Sequence, residues 1–143
     1  MREREKEEFL EAFETENEGS VVGCCVMGGI FSEGIDLREE RLIGAVIVGT
    51  GLPMVCNERE LFKNYYEEKK GSGFDYAYLY PGVNKVFQAG GRVIRTVNDK
   101  GVILLLDERF LQRQYRELFP REWFPYDVVD CVEMERVLRA FWE

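Results

Sequence analysis

Three continuous apolar runs constrain this chain more than any other feature of its sequence. They cover residues 21–27, 42–48 and 102–106, and the first two end at glycine-rich turns. A short apolar run without polar alternation is typical of a strand buried on both faces, as in a parallel sheet. Segments of helical length separate the runs, so the sequence predicts an α/β fold with a mostly parallel sheet.

The segments around these strands have helical composition and periodicity. Pro81 suits the first turn of a helix, where its missing N–H is not needed. The helix after the second strand is expected to turn inward the side chains of Leu61, Phe62, Tyr65 and Tyr66. Helices are predicted over residues 3–16, 58–70, 81–95, 107–118 and 132–142, with a short last strand over residues 127–131.

Charge is distributed unevenly along the chain. The net charge is −8 and the isoelectric point is about 4.8, which argues against a generic nucleic-acid-binding protein. Residues 1–18 hold eight acids and three bases, whereas residues 85–109 hold five bases and three acids. If the chain binds phosphate, this locally positive window is the first place to expect it.

Cysteine usage and hydropathy argue against two further classes of protein. The chain has four cysteines, no CxxC pair and no histidine, which argues against a zinc site. Cys24 and Cys25 lie inside an apolar run and are expected to be small, buried core residues. No apolar run approaches the ~20 residues of a membrane span. The charged N-terminus lacks a signal region, so a cytoplasmic location is expected.

The clearest concentration of phosphate-binding side chains lies in residues 88–95. If the helix runs to residue 95, its spacing places Gln88, Arg92 and Arg95 on one side. Gly90 and Gly91 weaken a helix but permit close approach of a ligand to the backbone. Spacing alone leaves open the alternative of a solvated basic face with a loosened turn.

A second candidate site follows the first apolar run. Three glycines lie between residues 28 and 34, and the same loop carries Ser32, Glu33 and Asp36. Such a loop can present backbone N–H groups and a carboxylate to a ligand. It lacks the GxxxxGK[ST] pattern of a phosphate-binding loop. An ordinary turn between a strand and a helix is the alternative.

Taken together, the two segments resemble the fifth and sixth conserved motifs of superfamily 2 helicases, and more narrowly the DinG/XPD group of DNA helicases. That group carries a (S/W)EG(I/V)D loop and, later in the chain, a QxxGRxIR segment. The resemblance covers roughly residues 5–125. It is supported by the Leu52-Pro53 turn, by Asp107-Glu108-Arg109 after the third strand, and by Tyr115 and Phe119-Pro120 beyond it.

The resemblance implies a fold and a mode of action. Residues 1–143 would form most of the second RecA-like motor domain, a three-layer α/β domain truncated at its N-terminal side. In this group ATP binds between two such domains. The first holds ATP and Mg²⁺ through a Walker lysine and acidic residues, and the second contributes arginine fingers. The partners would be the first motor domain and single-stranded DNA, and the activity would be ATP-dependent DNA unwinding, with DNA repair as the setting.

The resemblance also implies roles for individual positions. Arg92 and Arg95 match the arginine fingers, and Gln88 matches the glutamine near the γ-phosphate. Positions that would contact ATP or couple it to the other domain are Gly34, Asp36 and Gly91. Ser32 and Glu33 match the part of the loop that lies close to the nucleic acid.

Several elements of a complete motor are missing from the sequence. There is no Walker A motif, no acidic Walker B pair and no cysteine set for an iron–sulfur cluster, which could belong only to the other domain. We therefore expect the chain alone to be inactive as an ATPase. The alternative is a non-catalytic interaction module that keeps the helicase C-terminal fold. An unprotected sheet edge would also favour self-association.

Overall fold

A computed structural model of the protein describes residues 3–13, 19–29 and 42–143. Two strands and five α-helices form its main elements. In chain order they are α1 (Glu3–Glu11), β1 (Gly44–Val48), α2 (Asn57–Lys70), α3 (Tyr80–Gly90), β2 (Val102–Leu106), α4 (Arg113–Arg116) and α5 (Cys131–Trp142). A π-helical segment, Asp75–Leu79, precedes α3, and 3₁₀ turns cover Glu108–Leu111 and Arg121–Trp123.

The two strands pair in parallel, as the apolar runs predicted. Gly44 lies opposite Val102, and the register continues without a bulge to Val48 opposite Leu106. Parallel neighbours require a crossover connection, and α2 and α3 lie within it. The predicted α/β class and parallel pairing are confirmed, while the three-layer arrangement stays a prediction.

The core lies between one face of this sheet and α3. Ile47 of β1 is buried against Val83 and Val86 of α3, and Phe110 and Tyr115 close the same cluster beyond β2. The other face of β1 is exposed, although it was expected to be buried. Val48 is 70% exposed, and Val46 is exposed as well. Burial on both faces, predicted from the unbroken apolar run, is therefore wrong for β1.

Helix α2 begins and ends close to the predicted residues, and Gly71 closes it with a left-handed φ of 65°. Its predicted inner face is wrong for three of the four side chains, while Tyr66 is half-buried. Leu61 is 70% exposed, and Phe62 and Tyr65 are exposed too. Apolar periodicity reports which side chains share a face, but polar contacts decide which face turns inward here.

Polar contacts hold α2 on the π-helical segment. The Tyr78 hydroxyl donates to Oε1 of Glu60 at 2.6 Å, and Nη1 of Arg59 donates to the carbonyl of Ala77 at 3.0 Å. The hydrogen bond to the Glu60 carboxylate raises the pKa of Tyr78 to about 12. Tyr66 also stacks on Tyr76, with ring centroids 4.4 Å apart.

The predicted strand over residues 21–27 is wrong. Residues 21–26 form no strand, Met27 begins a turn, and Val22 and Val26 are exposed. Cys24 and Cys25 are exposed rather than buried in a core. A strand needs a neighbour with which to share backbone hydrogen bonds, and an apolar run alone does not supply one.

Helix α1 ends earlier than the predicted residue 16. Its regular structure stops at Glu11, and residues 14–18 lie outside the described part of the chain. Its apolar side chains pack on one another and on the chain that follows, because the rings of Phe9 and Phe13 lie 5.4 Å apart and both approach Gly23.

Two predictions for the last forty residues need correction. A helical segment begins after β2 as predicted, and Asp107 caps it, with Oδ1 accepting from the N–H of Arg109 at 2.9 Å. The segment is not one helix to residue 118, because Gln112 is extended (φ −70°, ψ 143°) and separates a 3₁₀ turn from α4. Residues 127–130 form no strand, and Asp130 caps α5 by accepting from Val132 and Glu133.

Among the described residues, no helix is long and apolar enough to cross a membrane. The same residues contain no cluster of three or more His, Cys, Asp or Glu side chains that could hold a metal ion.

Candidate functional site

The candidate site is the turn that follows α3, residues 91–99, here called the arginine loop. Gln88 lies exposed in the last turn of α3, and the helix ends at Gly90. Arg92 lies in the turn after it, and Arg95 lies beyond that turn. The predicted helix to residue 95 is therefore wrong. The expectation that Gln88, Arg92 and Arg95 share a helical face loses its geometric basis.

Hydrogen bonding explains why the helix stops there. The N–H of Gly91 still bonds to the carbonyl of Phe87 at 2.8 Å, but the N–H of Val93 bonds to the carbonyl of Gly90 at 3.1 Å. This change to a three-residue spacing tightens the last turn, as at many helix ends. Two adjacent glycines make continuation of the helix unfavourable.

Gly90 has a structural role that the sequence did not reveal. It is buried, and a β-carbon built on it would lie 2.9 Å from Cζ2 of Trp123 and 3.3 Å from Cδ1 of Ile103. Trp123 also meets Phe87 edge-on, with ring centroids 5.3 Å apart. The absence of a side chain at Gly90 therefore leaves room for the indole of Trp123. This packing role replaces the interpretation that the glycine lets a ligand approach the backbone. Gly91, by contrast, is exposed.

Substituting Gly90 by alanine should lower the free energy of unfolding by about 1 kcal/mol. Overpacking costs ~1–3 kcal/mol, and the better helix propensity of alanine returns ~1 kcal/mol. Urea denaturation measures the change. Gly44→Ala is the control, because its added carbon would lie 3.5 Å from the Val102 carbonyl, an ordinary contact. A stabilising Gly90→Ala substitution would contradict the packing role.

A buried valine anchors the arginine loop to the sheet. Val93 is only 3% exposed. Its Cγ1 occupies the space that a side chain at Gly101, just before β2, would need. Arg92 is half-buried and Arg95 is exposed, so the two arginines flank an anchored position. This anchor fixes where the loop leaves the body of the domain.

A carboxylate closes the other end of the loop. Oδ2 of Asp99 accepts from the N–H of Arg95 and from the N–H of Thr96, both at 2.7 Å. Its Oδ1 accepts from the Thr96 hydroxyl at 2.8 Å. These hydrogen bonds, first that of Arg95, lower the pKa of Asp99 below its ordinary value, so the group is charged at neutral pH.

Arg109 and Lys100, which also belong to the positive window, contact neighbouring side chains. Arg109 forms a two-pronged ion pair with Asp107, with Nε–Oδ1 at 2.9 Å and Nη2–Oδ2 at 2.7 Å. Hydrogen bonding to Arg109 lowers the pKa of Asp107. Nζ of Lys100 lies 4.9 Å from the ring centre of Phe141, so the end of α5 contacts the residue after Asp99. Arg109 and Lys100 of the window therefore take part in contacts within the domain.

The start of the glycine-rich loop lies against α3. A β-carbon built on Gly28, which has a φ of 78°, would lie 3.3 Å from Cε of Lys85. Met27 packs against the core cluster beside it. Lys85 precedes Gln88 by one turn of the same helix, so the first residues of one sequence motif adjoin the helix that carries the other. The rest of that loop, including Ser32, Glu33, Gly34 and Asp36, lies outside the described residues.

The glycine-rich turn after β1 serves packing against the start of α3. Gly49 and Gly51 have φ values of 84° and 68°, which favour glycine. A β-carbon on Gly51 would lie 2.7 Å from the carbonyl oxygen of Gly82, and one on Gly82 would lie 2.9 Å from that of Thr50. The two backbones are in direct contact, so this turn positions the helix that leads to the arginine loop.

These features define an α/β domain that presents arginines on an anchored loop between a helix and a parallel strand. A family model described as helicase C-terminal domain matches residues 1–126. The chain belongs to that family, and the resemblance to the DinG/XPD group is confirmed. Helix α5 follows the matched region.

Named relatives agree with this family. An ATP-dependent DNA helicase YoaA from Haemophilus influenzae is 30% identical over 120 residues, which cover 82% of this chain and 18% of the relative. An ATP-dependent DNA helicase DinG from Photobacterium profundum is 35% identical over 89 residues, covering 61% and 13%. A regulator of telomere elongation helicase 1 homolog from Caenorhabditis briggsae is 31% identical over 116 residues, covering 74% and 11%. The chain spans less than one fifth of each relative.

Proposed function

We propose that this chain acts as the second motor domain of an ATP-dependent DNA helicase of the DinG/XPD type. In this proposal Arg92 and Arg95 act as arginine fingers on an ATP that a first motor domain holds, and hydrolysis drives movement along single-stranded DNA. The observation that carries the proposal is the arginine loop, anchored by Val93 and closed by Asp99, within a helicase C-terminal domain.

The chemistry of the loop suits a shared ATP site. Phosphoryl transfer places charge on the γ-phosphate oxygens, and a positioned arginine stabilises that charge. Arginine stays protonated and pairs bidentately with phosphate oxygens, whereas lysine offers a single point charge. Gln88 and Gly91 would lie beside the same phosphates, at the end of α3 and at the start of the loop. Acidic residues of the first domain would hold Mg²⁺. Cysteines of that domain would hold any iron–sulfur cluster.

The glycine-rich loop would connect this site to DNA. Within the proposal, Gly34 and Asp36 couple the nucleotide to the other domain, and Ser32 and Glu33 lie along the nucleic acid. The contact between Gly28 and Lys85 supports a connection, because it places the start of that loop on the helix that carries Gln88.

A fusion protein tests the proposal. The chain is joined behind a first motor domain that carries a Walker lysine, taken from a DinG-type helicase. The fusion should hydrolyse ATP faster when single-stranded DNA is added, and the chain alone should show only background turnover. The donor helicase's own second domain, joined in the same way, is the positive control. A fusion without DNA-stimulated turnover, next to an active control, would contradict the proposal.

A second candidate function is a non-catalytic interaction module. The exposed outer face of the sheet, formed by Val46 and Val48 with Leu106 beside them, favours it, because parallel sheets are usually covered on both faces. The same face would account for self-association of the chain. Under this alternative the chain still packs against the first domain within the fusion. The fusion then shows no ATP turnover that depends on Arg92 or Arg95.

A further inference from the structure

We propose that Asp99 is a positioning residue for Arg95, because its carboxylate fixes the backbone from which the arginine side chain projects. The structural part of this inference rests on the geometry of the loop. Its catalytic consequence rests on the proposed function, in which Arg95 reaches the γ-phosphate of ATP.

One carboxylate makes three hydrogen bonds to two consecutive residues. Both N–H bonds, from Arg95 and Thr96, end on Oδ2 at 2.7 Å, and the Thr96 hydroxyl bonds to Oδ1 at 2.8 Å. The backbone closes the same ring, since the N–H of Asp99 donates to the Thr96 carbonyl at 3.3 Å. Hydrogen bonds to an ionised acceptor are short and about twice as strong as neutral ones.

These bonds matter because Arg95 lies in no helix or strand. Its neighbours Ile94 and Thr96 are exposed, so the hydrogen bonds to Asp99 hold a stretch of backbone outside regular structure. Val93 anchors the loop two residues before Arg95, and Asp99 holds it from the other side. The α-carbon of Arg95 is therefore fixed from both directions. Displacement of a catalytic group by about 1 Å can lower the rate ~10²-fold. Loss of the hydrogen bonds that fix Arg95 should therefore be measurable as a lower rate of ATP hydrolysis.

Substitutions in this hydrogen-bond pattern can separate the effect of the Asp99 charge on the loop from the effect of the hydrogen bonds that Asp99 accepts. In Asp99→Asn the amide oxygen can accept both N–H bonds, and the amide nitrogen can donate to the Thr96 hydroxyl, which also accepts bonds. Asp99→Ala removes all three side-chain bonds and leaves the two N–H groups to water. Thr96→Val removes the hydroxyl bond to Asp99 and the longer bond that the hydroxyl accepts from the N–H of Asn98 at 3.3 Å, but it keeps both N–H bonds to Asp99, so it is the matched control. A positioning role therefore predicts that asparagine and the Thr96→Val control resemble wild type and that alanine does not.

The first measurement needs no nucleotide. Amide exchange and backbone order parameters are recorded by NMR on the 143-residue chain and its variants. Asp99→Ala should speed exchange at Arg95 and Thr96 on the order of tenfold, the effect of losing a hydrogen bond to a charged group. The order parameter of Arg95 should fall from about 0.85 towards 0.6. Signals of Val86, in the core, should not change, which shows that the fold is intact. Unchanged exchange and order at Arg95 in Asp99→Ala would overturn the inference.

The second measurement uses the fusion motor. Asp99→Ala should lower kcat for ATP hydrolysis by about 10²-fold with little change in KM, since a displaced finger affects the transition state. Asp99→Asn should restore most of the rate. A wild-type kcat in Asp99→Ala, together with an inactive Arg95→Ala, would overturn the positioning role and leave the proposed function standing. A wild-type kcat in Arg95→Ala would overturn the finger role that the proposed function gives to Arg95, and with it the catalytic part of the inference, while the exchange result would still decide the structural part.

Discussion

Replacing Arg95 by alanine in the fusion motor is expected to lower kcat by ~10³–10⁵-fold, the usual contribution of an arginine finger. The reason is electrostatic, because under the proposed function the guanidinium would stabilise charge that develops on the γ-phosphate in the transition state. KM for ATP should change little, since under the proposed function the first domain would contribute most of the ground-state binding. Arg92→Ala is expected to show the same pattern, and the double variant should lose less than the product of the two effects. Steady-state ATPase assays with saturating single-stranded DNA measure each variant.

Matched variants make this result specific. Arg95→Lys keeps the charge but loses the planar fork, so it should recover only part of the rate. Arg136→Ala removes an exposed arginine of α5, whose Nη2 lies 3.8 Å from Glu133, and should leave kcat at the wild-type value. If Arg92→Ala and Arg95→Ala both hydrolyse ATP as fast as Arg136→Ala, the arginine loop has no catalytic role and the interaction module becomes the better account.

The largest effect on stability is expected at Phe110. Phe110 is 4% exposed and lies between Tyr115 and Phe119, with ring centroids 5.9 Å and 6.2 Å away. Truncation of a buried phenylalanine to alanine removes apolar contacts and leaves a cavity, at a cost of ~3–5 kcal/mol. The residue belongs to the core cluster that also contains Val83 and Val86 of α3, so its truncation leaves a cavity among packed side chains. Urea denaturation should show a lower midpoint with an unchanged slope.

An exposed phenylalanine supplies the comparison. Phe62 of α2 is 47% exposed, so Phe62→Ala should cost less than about 1 kcal/mol, mainly through its contact with Tyr66. Equal losses in the two variants would show that α2 buries Phe62 against another surface in solution. A cost below about 1.5 kcal/mol for Phe110→Ala would contradict the assignment of this side chain to the core.

Helix α3 links the stability of the domain to the proposed site. Its start touches the turn after β1 through Gly82, and its end admits Trp123 at Gly90. Its buried face carries Val83 and Val86 onto the sheet. The arginine loop therefore begins from a helix that is fixed at both ends and along one side. Changes at any of these contacts are expected to move the arginines without touching them.

Much of the fold follows from local sequence. The aliphatic run of β2 pairs with β1 as expected, and α2 and α5 begin within one residue of their predicted starts. Gly71 ends α2 because glycine adopts its left-handed conformation without strain. Pro81 lies in the first turn of α3 because its missing N–H costs nothing there. These features depend on backbone preferences and side-chain spacing, which a sequence states directly. The two motifs also indicated the helicase family, which the family model confirmed.

Other features depended on contacts between distant residues. The run at residues 21–27 forms no strand, and α2 turns Leu61 outward, because pairing partners and polar contacts decide both. Gly90 marks the place where Trp123, more than thirty residues later, packs onto α3. Asp99 carried no signal beyond its place in a turn. The sequence by itself determined the α/β class and the family, and it predicted Arg92 and Arg95 as candidate site residues. Only the tertiary structure decided where α3 ends and how Val93 and Asp99 hold Arg95, because those contacts exist only once the chain has folded.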